Sequence, residues 1–438
     1  MGRKEKYISN LGQMIQQNTV SSYDFDNIDN IRAFQKLLRE LFPSFFTAVE
    51  LEDFDGSLLM KWKGKDGSAP VLFMNHQDTV EPQEGWTHDP FSGEVFDGKL
   101  WGRGTLDDKG GLWAMLQAAD ELIEEGFVPE QDIYFEASRN EETTCAGAGE
   151  IAQALKERGI RFSMVLDEGG MITYEPISGA KGLFAMVGMG ERACVDLLFT
   201  AKGNGGHAST PEHDTPLVRL GKFMAEADKF NVFTVELAEP IREMFRRMAP
   251  TISGPLSKVY SAPDKFAPLL KALMPKLSAT SRALVQTTIA FTMAKGSDGR
   301  NVIPSDASVV GNMRVSHHQG ISNSIAAITK LAAKYDIETE VLDPGGESPL
   351  ASHESEQFKL IEAAVSSVFP GVVTAPYIMT GCSDARHMAP LTDNCFHFLP
   401  FTIDKQQMES IHGIDESVDA DTLIPAVDFY KYLMTKLK

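Results

Sequence analysis

Of 438 residues, 43% are hydrophobic and 23% charged, an ordinary globular composition on a chain too long for one hydrophobic core, so two domains are expected. Acidic residues outnumber basic ones by 61 to 41, a net charge of -20, which excludes a basic nucleic-acid footprint and disfavours binding to anionic surfaces. Four cysteines, Cys145, Cys194, Cys382 and Cys395, are scattered without Cys-x-x-Cys spacing, which predicts a reduced compartment and no disulfide framework.

The charged start, Met1 to Lys6, leads into Tyr7-Ile8-Ser9-Asn10-Leu11 without a sustained apolar core, so no signal peptide is expected. No stretch approaches the roughly 20 apolar residues that span a bilayer. A cytoplasmic protein with no membrane partner is the expectation. Ile31, Phe34, Leu37, Leu38 and Leu41 share one helical face, which Pro43 closes. Residues 51–62 alternate and turn at Asp55-Gly56, a hairpin signal. The apolar run Pro70 to Met74 reads as a buried parallel strand, and it delivers His76 and Asp78 at its carboxyl end.

Between Leu100 and Leu112, Asp107 and Asp108 lie among glycines where an extended segment becomes a helix. A phosphate-cradling loop fits poorly there, because Lys109 is followed by Gly110 with no Ser or Thr placed to hold magnesium. Leu112, Met115, Leu116, Ala119, Leu122 and Ile123 mark an amphipathic helix ending near Gly126. The strand 133–138 runs into Glu141-Glu142, a helix follows over 150–158, and the strand 163–166 runs into Asp167-Glu168. Three strand ends thus carry His-x-Asp, Glu-Glu and Asp-Glu, the ligand types of a metal site. The alternation of strand and helix predicts an α/β domain with a largely parallel sheet covered by helices.

The pattern changes after Gly188. Residues 193–201, 287–294, 307–315 and 338–342 read as strands, with helices over 217–230 and 321–335. That βαββαβ order predicts an inserted ferredoxin-like domain. Residues 240–284, with Pro255, Pro263, Pro268 and Pro275 among apolar pieces, read as an elaboration of this insert that shapes a lid or a subunit contact. The chain then returns, with a helix over 355–369. The expected organisation is catalytic domain 1–188, lid and dimerisation domain 189–345, and catalytic domain 346–438.

Several ordered motifs carry a family resemblance. They are Trp86-Thr87-His88-Asp89-Pro90-Phe91-Ser92-Gly93, Trp101-Gly102-Arg103-Gly104 and Leu166-Asp167-Glu168-Gly169-Gly170. From about Leu41 to the C-terminus the chain resembles the dinuclear zinc peptidases that include carboxypeptidase S, aminoacylase, bacterial dipeptidases and succinyl-diaminopimelate desuccinylase, most of all the carboxypeptidase S branch. The resemblance implies two zinc ions per subunit, with cobalt or manganese able to satisfy the same ligands. It makes Asp107 the bridge, His76 and Asp167 the ligands of one ion, and Glu142 and His412 those of the other. Glu168 is the neighbouring alternative to Asp167. Asp78 is expected to orient His76, Asp108 to support the ligands from behind or to be structural, and Glu141 to be the general base.

In the insert, Gly203-Asn204-Gly205-Gly206-His207-Ala208 is similar to the family's histidine loop. That likeness implies that His207 donates to the developing oxyanion, supplied across a homodimer. Asn301 and Arg314 match substrate-contact positions, and an arginine fork suits a terminal carboxylate. The family's aspartate before that arginine is Asn312 here. Gly381-Cys382-Ser383-Asp384 resembles the substrate-side Gly-Gly-Thr-Asp loop, which points to Gly381 and Ser383 as binding residues and makes Cys382 and Ser383 departures. His88, His213, His317, His318, His353, His387 and His397 are read as structural or surface residues. The implied reaction is cleavage of an amide next to a free carboxylate, in a short peptide or an N-acyl amino acid. The same ligands also admit a dinuclear phosphoesterase or a non-catalytic peptide-binding protein.

Overall fold

In a strand buried on both faces, successive side chains enter two different cores, and Val71 to Met74 do this. Val71 and Phe73 pack with Phe135, Trp113 and Tyr430, while Leu72 and Met74 pack with Tyr134, Ile151, Leu155 and Val165 on the other side. The computed structural model describes residues 2–25 and 27–437. Its main element is a ten-stranded sheet in the spatial order Glu50–Phe54, Ser57–Trp62, Gln131–Ser138, Asp66–His76, Met164–Asp167, Cys395–His397, Leu183–Glu191, Ile172–Tyr174 and Thr402–Ile403, with Val373–Met379 also pairing with Leu183–Glu191.

The sheet is parallel in its centre and mixed overall, which narrows the expectation of a largely parallel sheet. Gln131–Ser138, Asp66–His76, Met164–Asp167 and Cys395–His397 run parallel. One flank, Glu50–Phe54 and Ser57–Trp62, is antiparallel because a tight hairpin builds it, and the other mixes parallel and antiparallel pairs. Asp55 and Gly56 take φ of 48° and 97°, as a two-residue hairpin turn with matching twist requires. The helix Lys109–Glu124 lies against the sheet and is buried on nearly every side. It packs with Leu423–Lys436 and with the N-terminal helix Arg3–Ile15, whose Tyr7 meets Trp113 edge-to-face at 5.2 Å. Ala146–Glu157 and Ala385–Met388 cover the opposite face.

The segment after Gly188 builds a second, antiparallel sheet in the order Thr288–Lys295, Asp306–Val315, Ala193–Lys202 and Ile337–Asp343. Strict alternation of buried residues along Ala193–Lys202 places Val195, Leu197 and Phe199 in a core of their own. The helices Pro216–Ala227 and Ile321–Ala333 contribute Phe223 and Ile328 to it.

Residues 240–284 reach across to the larger sheet: their apolar face, Ile241, Met244, Phe245 and Met248, packs with Phe184, Ala375 and Ile378 of the ten-stranded sheet. The prolines do not prevent helices here, since Pro240, Pro255 and Pro268 sit in the first turn of a helix, where a missing N–H costs nothing. Only Pro275 lies inside one. No helix among the described residues is long and apolar enough to cross a membrane.

Candidate metal centre

The carboxyl ends of the central strands deliver the site. His76 ends its strand fully buried, with Nδ1 3.1 Å from the carbonyl oxygen of Asp78 and 3.3 Å from its Oδ1. An Nδ1–H donated there fixes the tautomer and leaves the Nε2 lone pair free for a cation. Asp78 also accepts from the backbone N–H groups of Glu141 and Glu142, both at 3.2 Å, one on each oxygen. One buried carboxylate therefore sets the orientation of a histidine and of two glutamates from a different loop.

Asp107 stands at the middle. His76 Nε2 lies 3.0 Å from its Oδ1 and His412 Nε2 lies 3.0 Å from its Oδ2. His412 Nε2 is also 3.1 Å from Glu142 Oε2. Two imidazoles, each on a different oxygen of one carboxylate, form the donor pattern of a bridged pair of cations. His76, Asp107 and Glu142 offer ligand atoms within 4.8 Å of one another, and Glu142 Oε1 is buried with no hydrogen-bond partner. These residues fit a divalent metal. A second group, Glu239, Glu243 and His353, does not, because Arg246 and Arg247 already neutralise its carboxylates.

The Asp107–Asp108 peptide is cis, and the loop is held from the far end of the chain. Glu416 accepts from the N–H groups of Gly104, Leu106 and Asp107 at 3.2, 2.7 and 3.2 Å, and Arg103 Nη1 lies 2.6 Å from its Oε2. Both side chains are fully buried. Arg103 Nη2 also donates to the carbonyl of Gly413, so the segment presenting His412 and the loop presenting Asp107 are one clamp. Removing one partner of a buried ion pair leaves an uncompensated charge. Arg103→Met is therefore expected to lower stability by about 3–5 kcal/mol in chemical denaturation, and an unchanged midpoint would dismiss the clamp. Lys109 is fully buried and donates to the carbonyls of Met14 and Gln17, so it caps the N-terminal helix.

Asp167 ends the neighbouring strand Met164–Asp167, with one carboxylate oxygen already partnered. Its Oδ2 accepts from Ser383 Oγ at 2.7 Å and from the Ala385 N–H at 3.0 Å. Ser383, expected at the substrate, is fully buried, and its hydroxyl is turned to Asp167. His207 is exposed on the insert, where its Nδ1 lies 2.7 Å from Ser209 Oγ. Among the described residues no hydrogen bond or ion pair joins it to the histidine–carboxylate group. The strand carrying it pairs with Val302–Ile303, which puts the exposed Asn301 beside it. Arg314 is half-buried; its Nε donates to Asn312 Oδ1 at 3.0 Å, and Asn312 Nδ2 donates to Asp196 at 2.7 Å. The asparagine thus still orients the arginine. Gly381 lies next to this guanidinium's partner, Cys382.

Electrostatics follow from this crowding. Burial alone would raise Asp107, but hydrogen bonds from His412 and His76 outweigh it and hold the carboxyl below the usual range. Hydrogen bonds to Asp107 and Glu142 push His412 up to about 10. Burial would lower His76, and its bonds to Asp107 and Asp78 reverse the sign. Burial first, then repulsion from Asp384, Glu142 and Asp107, pushes Glu141 well up despite the opposing His76. Metal ligation needs neutral imidazole, so cation uptake should release protons and strengthen as pH rises from 6 toward 8, with about one or more protons released per chain. Calorimetric zinc titrations in buffers of different ionisation heat measure this, and a buffer-independent heat would refute it.

In a buried polar layer behind the ligands, Glu136 escaped the sequence reading. Both carboxylate oxygens of Glu136, Asp108 Oδ1, Asp384 Oδ1 and His397 Nε2 are buried without hydrogen-bond partners. The available signal was Glu136 itself, an acid in a strand that is buried from Gln131 to Ser138. His397, read as structural, has Nδ1 3.2 Å from the Glu168 carbonyl.

Residues 72–436 match the model of Peptidase family M20/M25/M40. Probable carboxypeptidase S-like 2 of Dictyostelium discoideum is 31% identical over 431 residues, 95% of this chain and 82% of that protein. The human N-fatty-acyl-amino acid synthase/hydrolase PM20D1 is 29% identical over 426 residues, 95% of this chain and 84% of that one. Among solved structures, the M20 family metallo-carboxypeptidase Sso-CP2 from Sulfolobus solfataricus superposes with a TM-score of 0.72 at 14% identity, covering 99% of each chain. The family model spans most of the chain and the fold is shared, and the chain belongs to the M20/M25/M40 peptidase family.

Proposed function

We propose that this protein is a dinuclear zinc hydrolase that cleaves the amide bond next to a free carboxylate, in short peptides or N-acyl amino acids. The observation that carries the reading is Asp107 with a different histidine on each oxygen, beside a glutamate pair whose backbone Asp78 fixes. His76 and Asp167 would hold one cation, Glu142 and His412 the other, with Asp107 shared. When bound, the cations supply positive charge that polarises the scissile carbonyl and acidifies water. Glu141 takes the proton of the attacking water on its carboxylate and returns it to the leaving nitrogen. The strand-helix insert acts as a ferredoxin-like lid and dimerisation domain, 189–345, and a second copy of the chain brings His207 to the developing oxyanion. Asn301 and Gly381 line the substrate, and Arg314 binds its carboxylate.

Two of the relatives are named as a carboxypeptidase S-like protein and an N-fatty-acyl-amino acid synthase/hydrolase, and the proposed reaction is common to both names. The test is mass-spectrometric detection of products from dipeptides, longer peptides and N-acyl amino acids, using protein stripped of metal and then restored with zinc. Zinc-dependent cleavage supports the reading; phosphate release from esters without amide cleavage would replace it. Arg314→Lys is expected to raise KM about 10- to 100-fold with a smaller change in kcat, the worth of a charge-assisted hydrogen bond. An unchanged KM would remove Arg314 from carboxylate binding.

A further inference from the structure

Two of the four cysteines meet at the crossing between the sheets. Cys194 is the second residue of Ala193–Lys202 in the insert, and Cys382 lies just after Val373–Met379 of the catalytic sheet. The two sulfurs touch a pair of side chains, Asn312 and Arg314, which are themselves hydrogen-bonded to each other. Around them, Arg314 Nη1 is 2.9 Å from Cys382 Sγ, Asn312 Nδ2 is 3.2 Å from Cys194 Sγ, and Cys382 Sγ donates to the Arg192 carbonyl at 3.3 Å. Arg314 is also the direct cross-strand partner of Cys194. Both cysteines keep partial solvent access, whereas Cys145 and Cys395 are buried.

We propose that Cys194 and Cys382 form a reversible disulfide that pins the insert to the catalytic domain and changes the setting of Arg314. The reaction is thiol–disulfide exchange with a small oxidised disulfide. The Cys194 thiolate attacks one of its sulfurs, breaking that S–S bond and releasing one thiolate. Cys382 then loses its proton to solvent and attacks Cys194 Sγ, expelling the second thiolate. Two cysteine thiols are oxidised and one small disulfide is reduced to two thiols.

The surroundings favour the first step. The hydrogen bond with Cys382 and the Arg314 guanidinium push the Cys194 thiol down to about 6, whereas burial raises Cys145 and Cys395. The consequence reaches the metal ligands, because the next residue, Ser383, holds Asp167 through Oγ while its N–H donates to Glu191. Arg192 adds a second tie at the same crossing, donating to the carbonyls of Gln286 and Arg314. A link at 194–382 would therefore join the first strand of the insert to the loop that follows Val373–Met379. Transient, sensing disulfides are the kind that occur in reducing compartments.

The experiment treats the zinc-loaded protein with oxidised glutathione, maps peptides by mass spectrometry, and follows amide hydrogen exchange at residues 191–193 and 286–288. The expected result is a 194–382 linked peptide, slower exchange at these crossings, and reversal by dithiothreitol. Cys194→Ser should show neither change. Free thiols at both positions, a different cysteine pairing, or unchanged exchange in linked protein would overturn the proposal. The effect on turnover rests on the hydrolase reading: a loss on the order of 5- to 150-fold in linked wild type, absent in Cys194→Ser. Mapping and exchange need no substrate, so a protein that cleaves no amide would defeat that reading while the link is still decided.

Discussion

Glu141→Gln should lower kcat by about 10²- to 10⁴-fold, the usual worth of a positioned general base, while zinc content stays at the wild-type level. The side chain of Glu141 makes no hydrogen bond to a described residue, and the two Asp78 contacts that fix the loop go to backbone N–H groups. Exchanging the carboxylate for an amide of the same shape therefore leaves Glu142 in place. It removes only the group able to take a proton. Burial and the neighbouring carboxylates raise this group's proton affinity above that of an ordinary glutamate, which strengthens it as a base. Turnover on the best substrate and metal by mass spectrometry decide the matter together. Retained turnover would remove Glu141 as the base, whereas lost zinc would make it a ligand.

The strand ends were legible because both requirements there are local. A buried strand reads as an apolar run, and polar residues at its carboxyl end must find polar partners there, as the buried His76 and Asp78 do. The insert was legible for a similar reason, since one face of each strand is buried and alternation shows it. What escaped depends on residues far apart in the chain. Glu416 clamps the Asp107 loop across more than 300 positions, and nothing in its neighbourhood announces that role. The helices of 240–284 have apolar faces that would suit either sheet, and only tertiary packing lays them on the ten-stranded one. Ser383 shows the same limit, because the loop was recognisable but its hydroxyl's direction is set by Asp167.

Asp107→Asn should reduce bound zinc at both positions and leave no measurable turnover, because the residue would be shared by the two cations. His412→Ala removes a ligand from only one of them, so the two variants should differ in stoichiometry as well as affinity. Loss of even an outer partner of a metal ligand costs about 10- to 100-fold in affinity, and loss of the shared carboxylate should exceed that at each position. The fold should survive, since Glu416 holds the loop through the backbone N–H of Asp107 and not through its side chain. A second readout needs no metal. The raised pKa of His412, about 10, has its hydrogen bond to Asp107 as the first cause, so in metal-free Asp107→Asn its imidazole should titrate closer to 6.5, the ordinary value for the side chain. The sign also fixes where stability moves: a raised histidine stabilises the metal-free fold below the unfolded pKa near 6.5 and loses that contribution as pH rises through 10. The variant should lack that part of the pH dependence. A full complement of zinc in Asp107→Asn, or a His412 titration that does not move, would show that this carboxylate is not the centre of the site.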